Sequence, residues 1–149
     1  MKPYTKILVP TDFSEPAAEA LQTAIDLAAR YGASIALVHV FEPIVYAFPE
    51  ASGFYSSLNL PDAIEGINTA LEKAKQTAIT AGTKNLTATQ LHGYPPSEIA
   101  DYAKSGGFDL IVMGTHGRRG LSHLMIGSVA ERVVRIAPCA VLTVRQPKG

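Results

Sequence analysis

The residues of this chain best placed to do chemistry are glycines and a hydroxyl rather than a cluster of acids or histidines. Gly114 and Gly117 stand three apart, nine residues intervene before Gly127, and Ser128 follows at once. Upstream lies the apolar run Leu110-Ile111-Val112-Met113, and downstream an amphipathic stretch starts at Ser128. A strand that opens into a glycine-rich loop and then a helix N-terminus is a phosphate-holding arrangement. Glycine lets the backbone approach an anion closely, and the first turn of a helix offers unpaired N–H groups at the positive end of its dipole. Ser128-Val129-Ala130-Glu131 also reads as a capping box, which would stabilise the helix by about 1 kcal/mol with no ligand. Both roles are open if phosphate is held by backbone N–H groups.

Other residues gain interest from position. Asp12 follows the first apolar run, where it reads either as a turn residue or as an acceptor for ribose hydroxyls or an adenine amino group. Val40 reads as core by its side chain, with its backbone available to a base edge. His116 sits inside the loop within reach of phosphate. Arg118 and Arg119 read most simply as solvated charges that could also screen a polyphosphate. His39, His92 and His123 show no metal-ligand spacing, so no protein metal site is expected. Cys139, the only cysteine, reads as a small buried hydrophobe and leaves no intrachain disulfide.

Several chemistries drop out. There is no Gly-x-x-x-x-Gly-Lys-Ser/Thr, hence no P-loop lysine. The glycine spacing after the fourth apolar run is not the Gly-x-Gly-x-x-Gly of a dinucleotide fingerprint. No Gly-x-Ser-x-Gly elbow makes Ser122 and His123 a hydrolase pair. A formal net charge of zero gives no general attraction to nucleic acid or an anionic membrane. No apolar run approaches the roughly 20 residues that span a bilayer, and residues 1–6 lack the apolar core of a signal peptide, so the cytoplasm is the expected compartment.

The elements that must position these residues alternate. Residues 6–10 read as a strand that Pro10 must end, because proline cannot donate to a ladder. Ser14 is the expected N-cap of a helix over 15–31, with Pro16 in its first turn and Gly32 as its stop. Leu21, Ala24, Ile25 and Ala28 give that helix an apolar face. Strands are expected over 34–40, 86–91, 110–113 and 139–144, the third weak and edge-like. Helices are expected from Pro61 to Gly82, from Pro95 to Gly106, and over 128–136. Residues 41–60, rich in proline and aromatics, read as a surface excursion or a ligand lid. Five strands alternating with four helices specify an α/β fold with an open parallel sheet and helices on both faces. Ligands then sit beyond the carboxyl ends of the strands, where Asp12 and Gly114 would face each other if the first and fourth strands are neighbours. At 149 residues and 47% hydrophobic content, one domain over 1–149 is expected.

The chain resembles the universal stress protein family over nearly its whole length. The resemblance rests on Ile7-Leu-Val-Pro-Thr-Asp-Phe-Ser14, Leu37-Val-His-Val40, Asp109-Leu-Ile-Val-Met-Gly-Thr-His-Gly117 and Gly127-Ser-Val-Ala-Glu-Arg132 running into Ala137-Pro-Cys-Ala-Val-Leu142. Its Gly-x2-Gly-x9-Gly-Ser/Thr pattern is that of the family's ATP-binding branch. Ala140 departs from the second proline found in many relatives, away from the site. The resemblance implies a Rossmann-like sheet of order 3-2-1-4-5. It implies adenine and ribose near Pro10, Thr11, Asp12, Val40 and Met113, and phosphates on Gly114, Gly117, Gly127, Ser128 and Val129. It also implies a homodimer through the last strand. An ATP-dependent switch or partner-binding module, with Mg2+ accompanying the nucleotide, is the leading functional expectation. A slow Mg-dependent ATPase or phosphotransferase, and a dimeric scaffold with a vestigial pocket, are the alternatives.

Overall fold

The computed structural model describes residues 3–43, 60–115 and 126–146. Five strands, β1 (Lys6–Pro10), β2 (Ser34–Phe41), β3 (Leu86–His92), β4 (Leu110–Gly114) and β5 (Ala140–Val144), form one parallel sheet in the order β3-β2-β1-β4-β5. The helices between them are α1 (Glu15–Tyr31), α2 (Leu60–Thr80), α3 (Pro95–Ser105) and α4 (Ser128–Ile136). β2 extends to Phe41 and β5 starts at Ala140, each one residue from its expected limit. Residues 44–59, most of the expected excursion or lid, lie outside the described residues.

The central strands are apolar without alternation because each side chain enters one of two cores. Ile7, Val9, Leu110 and Val112 point to the face covered by α1 and α2, where Ala20, Ala24, Ala28, Leu71 and Ala78 meet them. Leu8, Ile111 and Met113 point to the other face, against Ile99 and Ala103 of α3 and Ala130 and Val133 of α4. The alanine stripe of α1 brings that helix close to the sheet. At its N-terminus the approach is so tight that a Cβ on Gly114 would lie 2.9 Å from the carbonyl carbon and Cβ of Pro16. Gly114 is therefore glycine for packing, whatever else it does.

The ends of α1 follow the sequence signals. Ser14 is its N-cap and accepts from the Ala17 N–H, Pro16 lies in the first turn, and Gly32 closes the helix at φ 70. α4 differs from expectation. Its N-cap is Gly127, Ser128 is its first helical residue, and the Glu131 carboxylate pairs with Arg135 at 2.9 Å. The capping box is thus not formed. The Ser-x-x-Glu spacing is present, but the helix begins one residue earlier than that box requires.

Order in this sheet sends the connection after β1 to one face and the connection after β4 to the other. β1 and β4 are neighbours, so a crevice opens between their carboxyl ends. The register agrees. β1 pairs with β2 as far as Pro10–Val38, whereas its pairing with β4 covers only Ile7–Leu110 and Leu8–Ile111.

Candidate functional site

One wall of the crevice is the β1–α1 turn. Pro10 is buried at the end of β1, and Thr11, Asp12, Phe13 and Ser14 are half-buried. The turn is held by its own side chains. Thr11 Oγ1 accepts from the Phe13 N–H at 3.0 Å, and Asp12 Oδ1 accepts from the Ser14 N–H at 3.0 Å and from the Ser14 hydroxyl. Ser14 in turn caps α1, so the Asp12 carboxylate is linked through one hydroxyl to the helix start. The turn role expected of Asp12 is therefore filled, and it fixes where the carboxylate stands relative to the crevice.

The turn contains an uncommon backbone. Phe13 sits at φ 63, the one non-glycine residue with positive φ among the described residues. That conformation costs a bulky L-residue about 1–3 kcal/mol and persists only where surroundings impose it. Here the Phe13 ring stacks on His39, with centroids 4.9 Å apart and planes at 29°. His39 Nδ1 lies 2.8 Å from the Thr11 carbonyl oxygen. Sequence reasoning weighed His39 only as a metal ligand and gave neither residue a role at the site, because a histidine within a strand and an aromatic within a turn show no pairing until the fold brings them together.

Next to this wall is the end of β2. The Val38 carbonyl accepts from the Thr11 N–H at 2.8 Å, so Val38 directs its backbone groups toward β1. In a parallel ladder this orientation recurs every second residue. Val40 therefore turns its N–H and C=O to the same side, past the point where β1 has ended. Its half-buried side chain joins Met113 of β4 and Val129 of α4 in the core shared with α3. Three residues expected at the site thus meet in one apolar cluster.

The opposite wall is β4 and the start of α4. Thr115, directly after Gly114, is 2% exposed, and its N–H donates to the Val144 carbonyl at 2.9 Å. Its carbonyl accepts from the N–H of Gly127. This backbone bond joins the two ends of the glycine motif, seating Gly127, the buried cap of α4, beside the end of β4. Sequence reasoning had not singled out Thr115. The first turn of α4 follows, with Ser128 exposed and Val129 half-buried. Glu131 is the first residue of this helix whose N–H closes onto the turn, on the Gly127 carbonyl. Among the described residues, the N–H groups of Ser128, Val129 and Ala130 have no backbone acceptor. Such groups point out along the helix axis and suit an anion.

Pro10, Thr11, Asp12, Val40, Met113, Gly114, Gly127, Ser128 and Val129 are thus all carried to the carboxyl edge of the sheet. His116, Gly117 and Arg118 lie outside the described residues. Among the described residues no group of three or more His, Cys, Asp or Glu is gathered in a way that could hold a metal ion, and no helix is long and apolar enough to cross a membrane. Cys139 is half-buried against the α3–α4 core. Burial, and secondarily the charge of Asp109, push its thiol above the ordinary range, which suits a packing role.

This geometry has known counterparts. The universal stress protein family model matches residues 3–145. A universal stress protein of Methanocaldococcus jannaschii is 38% identical over 145 residues, the match covering 97% of this chain and 84% of the relative. Among solved structures, UspA of Lactobacillus plantarum is similar with a TM-score of 0.83 at 33% identity, covering 95% of this chain and 98% of that one. A universal stress protein of Archaeoglobus fulgidus, solved in complex with dAMP, has a TM-score of 0.68 at 25% identity over 95% of this chain and 98% of its own. With the sheet order, the two-walled crevice and a family match reaching from Pro3 to Arg145, the chain belongs to the universal stress protein family.

Proposed function

We propose that the chain is a single nucleotide-binding domain that holds ATP, with Mg2+, in the crevice between β1 and β4, and acts in the cytoplasm as a nucleotide-dependent stress-response switch or partner-binding module. The observation that carries this reading is the set of backbone N–H groups of Ser128, Val129 and Ala130, left without backbone acceptors at a helix start that Thr115 ties to the end of β4. Phosphates would take these donors, with Gly117, His116 and Arg118 contributing from the loop. The nucleoside would lie toward Pro10, Thr11, Asp12, Val40 and Met113, its base edge on the backbone groups of Val40 and its sugar near Asp12. The dAMP bound by the Archaeoglobus relative supports an adenine nucleotide as the ligand class.

Homodimerisation through β5 belongs to the same proposal. β5 is an edge strand with Leu142 exposed, and Val134 and Ile136 of the neighbouring α4 are about half exposed. An apolar edge strand invites pairing with another chain, and a second copy satisfies it in a controlled way.

A slow ATPase or phosphotransferase has one observation in its favour. Ser128 is the first helical residue of α4 and not its cap, so its hydroxyl could serve a phosphate-bound Mg2+. Nucleotide extraction from heat-denatured purified protein, followed by a phosphate-release assay with Mg-ATP, separates the readings. ATP recovered without turnover supports the switch, and steady turnover makes the protein an enzyme. If no nucleotide is recovered and none binds on addition, the proposal fails and the dimer scaffold takes its place.

A further inference from the structure

We propose that His39 is a positioning residue that braces the nucleoside wall of the crevice through its Nδ1–H tautomer. This rests on the nucleotide reading above. A carbonyl oxygen can only accept, so the 2.8 Å contact between His39 Nδ1 and the Thr11 carbonyl requires Nδ1 to carry the hydrogen. The same imidazole stacks on Phe13, the residue held at φ 63. One ring on β2 therefore grips the β1–α1 turn twice, by a hydrogen bond before Asp12 and by a stacked ring after it.

The grip falls where the sheet stops supplying one. The Thr11 N–H makes the last backbone bond from β1 to β2. Had the ladder continued, the Thr11 carbonyl would have accepted from the Val40 N–H. The carbonyl instead goes to the imidazole, which leaves Val40's backbone groups for a base edge. His39 makes this possible without touching the nucleotide. Phe13 supplies the second contact, and its backbone conformation is of the kind that surroundings must impose.

The test uses the full-length protein and two readouts, one of them independent of ligand. Nitrogen-15 NMR of the imidazole should find His39 as the Nδ1–H tautomer, opposite to the Nε2–H form that a ring free of this bond would take. In His39→Leu, the amides of Phe13 and Ser14 should exchange faster, and AMP affinity by calorimetry should fall about tenfold, the scale of one lost hydrogen bond together with a loosened wall. His39→Asn, whose amide nitrogen occupies the place of Nδ1, should restore both readouts to within about threefold. An Nε2–H tautomer, or unchanged exchange and AMP affinity in His39→Leu, would overturn the brace. The tautomer measurement on unmodified protein decides the point even if His39→Leu does not fold. Failure of the unmodified protein to bind AMP would contradict the nucleotide reading and the orienting role, while the tautomer and exchange data would still decide whether the turn is braced.

Discussion

The two ends of the β1–β4 pair are built in opposite ways. At the amino edge, Asp109, just before β4, locks onto the residues that lead into β1. Its carboxylate accepts from the Thr5 N–H at 2.9 Å, the Thr5 hydroxyl at 2.7 Å and the Lys6 N–H at 3.1 Å, while its own N–H donates to the Lys6 carbonyl. Lys6 Nζ reaches across to the Gly106 carbonyl at 2.6 Å and lies 5.4 Å from the centre of the Phe108 ring. At the carboxyl edge the backbone bonds of Thr11 and Thr115 run within each half of the sheet, and a side-chain bond links the halves farther out, where Gln146 beyond β5 donates to the Glu15 carboxylate at the start of α1. Thr11 is tied to Val38 and His39 on one side, and Thr115 to Val144 and Gly127 on the other. The backbone ladder between β1 and β4 is thus pinned at one end and parted at the other. In a doubly wound sheet this is how a rigid scaffold presents a cleft. The pinned edge should carry stability, and the parted edge should carry ligand.

That division can be broken experimentally. The largest effect is expected at Gly114, where the two roles overlap. Gly114→Ala places a Cβ 2.9–3.0 Å from backbone and Cβ atoms of Pro16, so α1 must move, at a cost of about 1–3 kcal/mol. Urea denaturation should show that loss, and nucleotide affinity should fall with it because the β1–α1 turn shifts. A neutral Gly114→Ala would mean that the close approach of α1 is not a constraint.

Asp109→Ala should come next. It removes the acceptor for three hydrogen bonds at a water-accessible site, costing about 1–2 kcal/mol, and should leave nucleotide affinity unchanged. An affinity change would show that the two edges are coupled. The effect should also depend on pH. Burial raises the Asp109 pKa, but hydrogen bonds from the Thr5 amide and hydroxyl and the Lys6 amide outweigh it and hold the carboxyl below its ordinary range. A lowered native pKa means stability that is present above the ordinary carboxylate range and lost as pH falls through the native value. The difference in unfolding free energy between wild type and Asp109→Asn should be flat at neutral pH and shrink on acidification. A gap that widened in acid would contradict this assignment.

Much of the sheet was legible because the signals behind it are local and redundant. The apolar runs of β1 and β4, Ser14 with Pro16, and Gly32 each carry their meaning within a few residues. The candidate site was legible in outline as a succession of strand, glycine and helix start along the sequence. What escaped was whatever depends on contacts made across the fold. Thr115 looks like any loop threonine until its carbonyl meets Gly127 and its N–H meets β5. Phe13 and His39 are distant in sequence and stack only after β1 and β2 pair. The capping box was misread for a related reason. Gly127 is held by Thr115 at the cap position, a long-range tie that places the helix start before Ser128.

Asp12→Ala should have a smaller, mixed effect, about 1 kcal/mol of stability from the weakened α1 cap. Its nucleotide phenotype sharpens the picture of the cleft. ATP and AMP should weaken alike if Asp12 faces the nucleoside, whereas loss confined to ATP would move Asp12 to the phosphate or metal end.

The central claim, that the first turn of α4 holds phosphate, is tested most directly by calorimetric titration of Mg-ATP into wild type, Ser128→Ala and Ser128→Pro. Proline is well tolerated at the first helical position, and Gly127 at ψ 153 already has the extended backbone that precedes proline, so the helix should keep its stability within about 0.5 kcal/mol. Ser128→Ala removes only the hydroxyl, while Ser128→Pro removes the hydroxyl and one N–H donor. The account predicts binding by wild type and a further loss of about tenfold or more from Ser128→Ala to Ser128→Pro, the scale of one hydrogen bond to a charged group. Equal affinity of the two variants, or no binding by wild type, would contradict it.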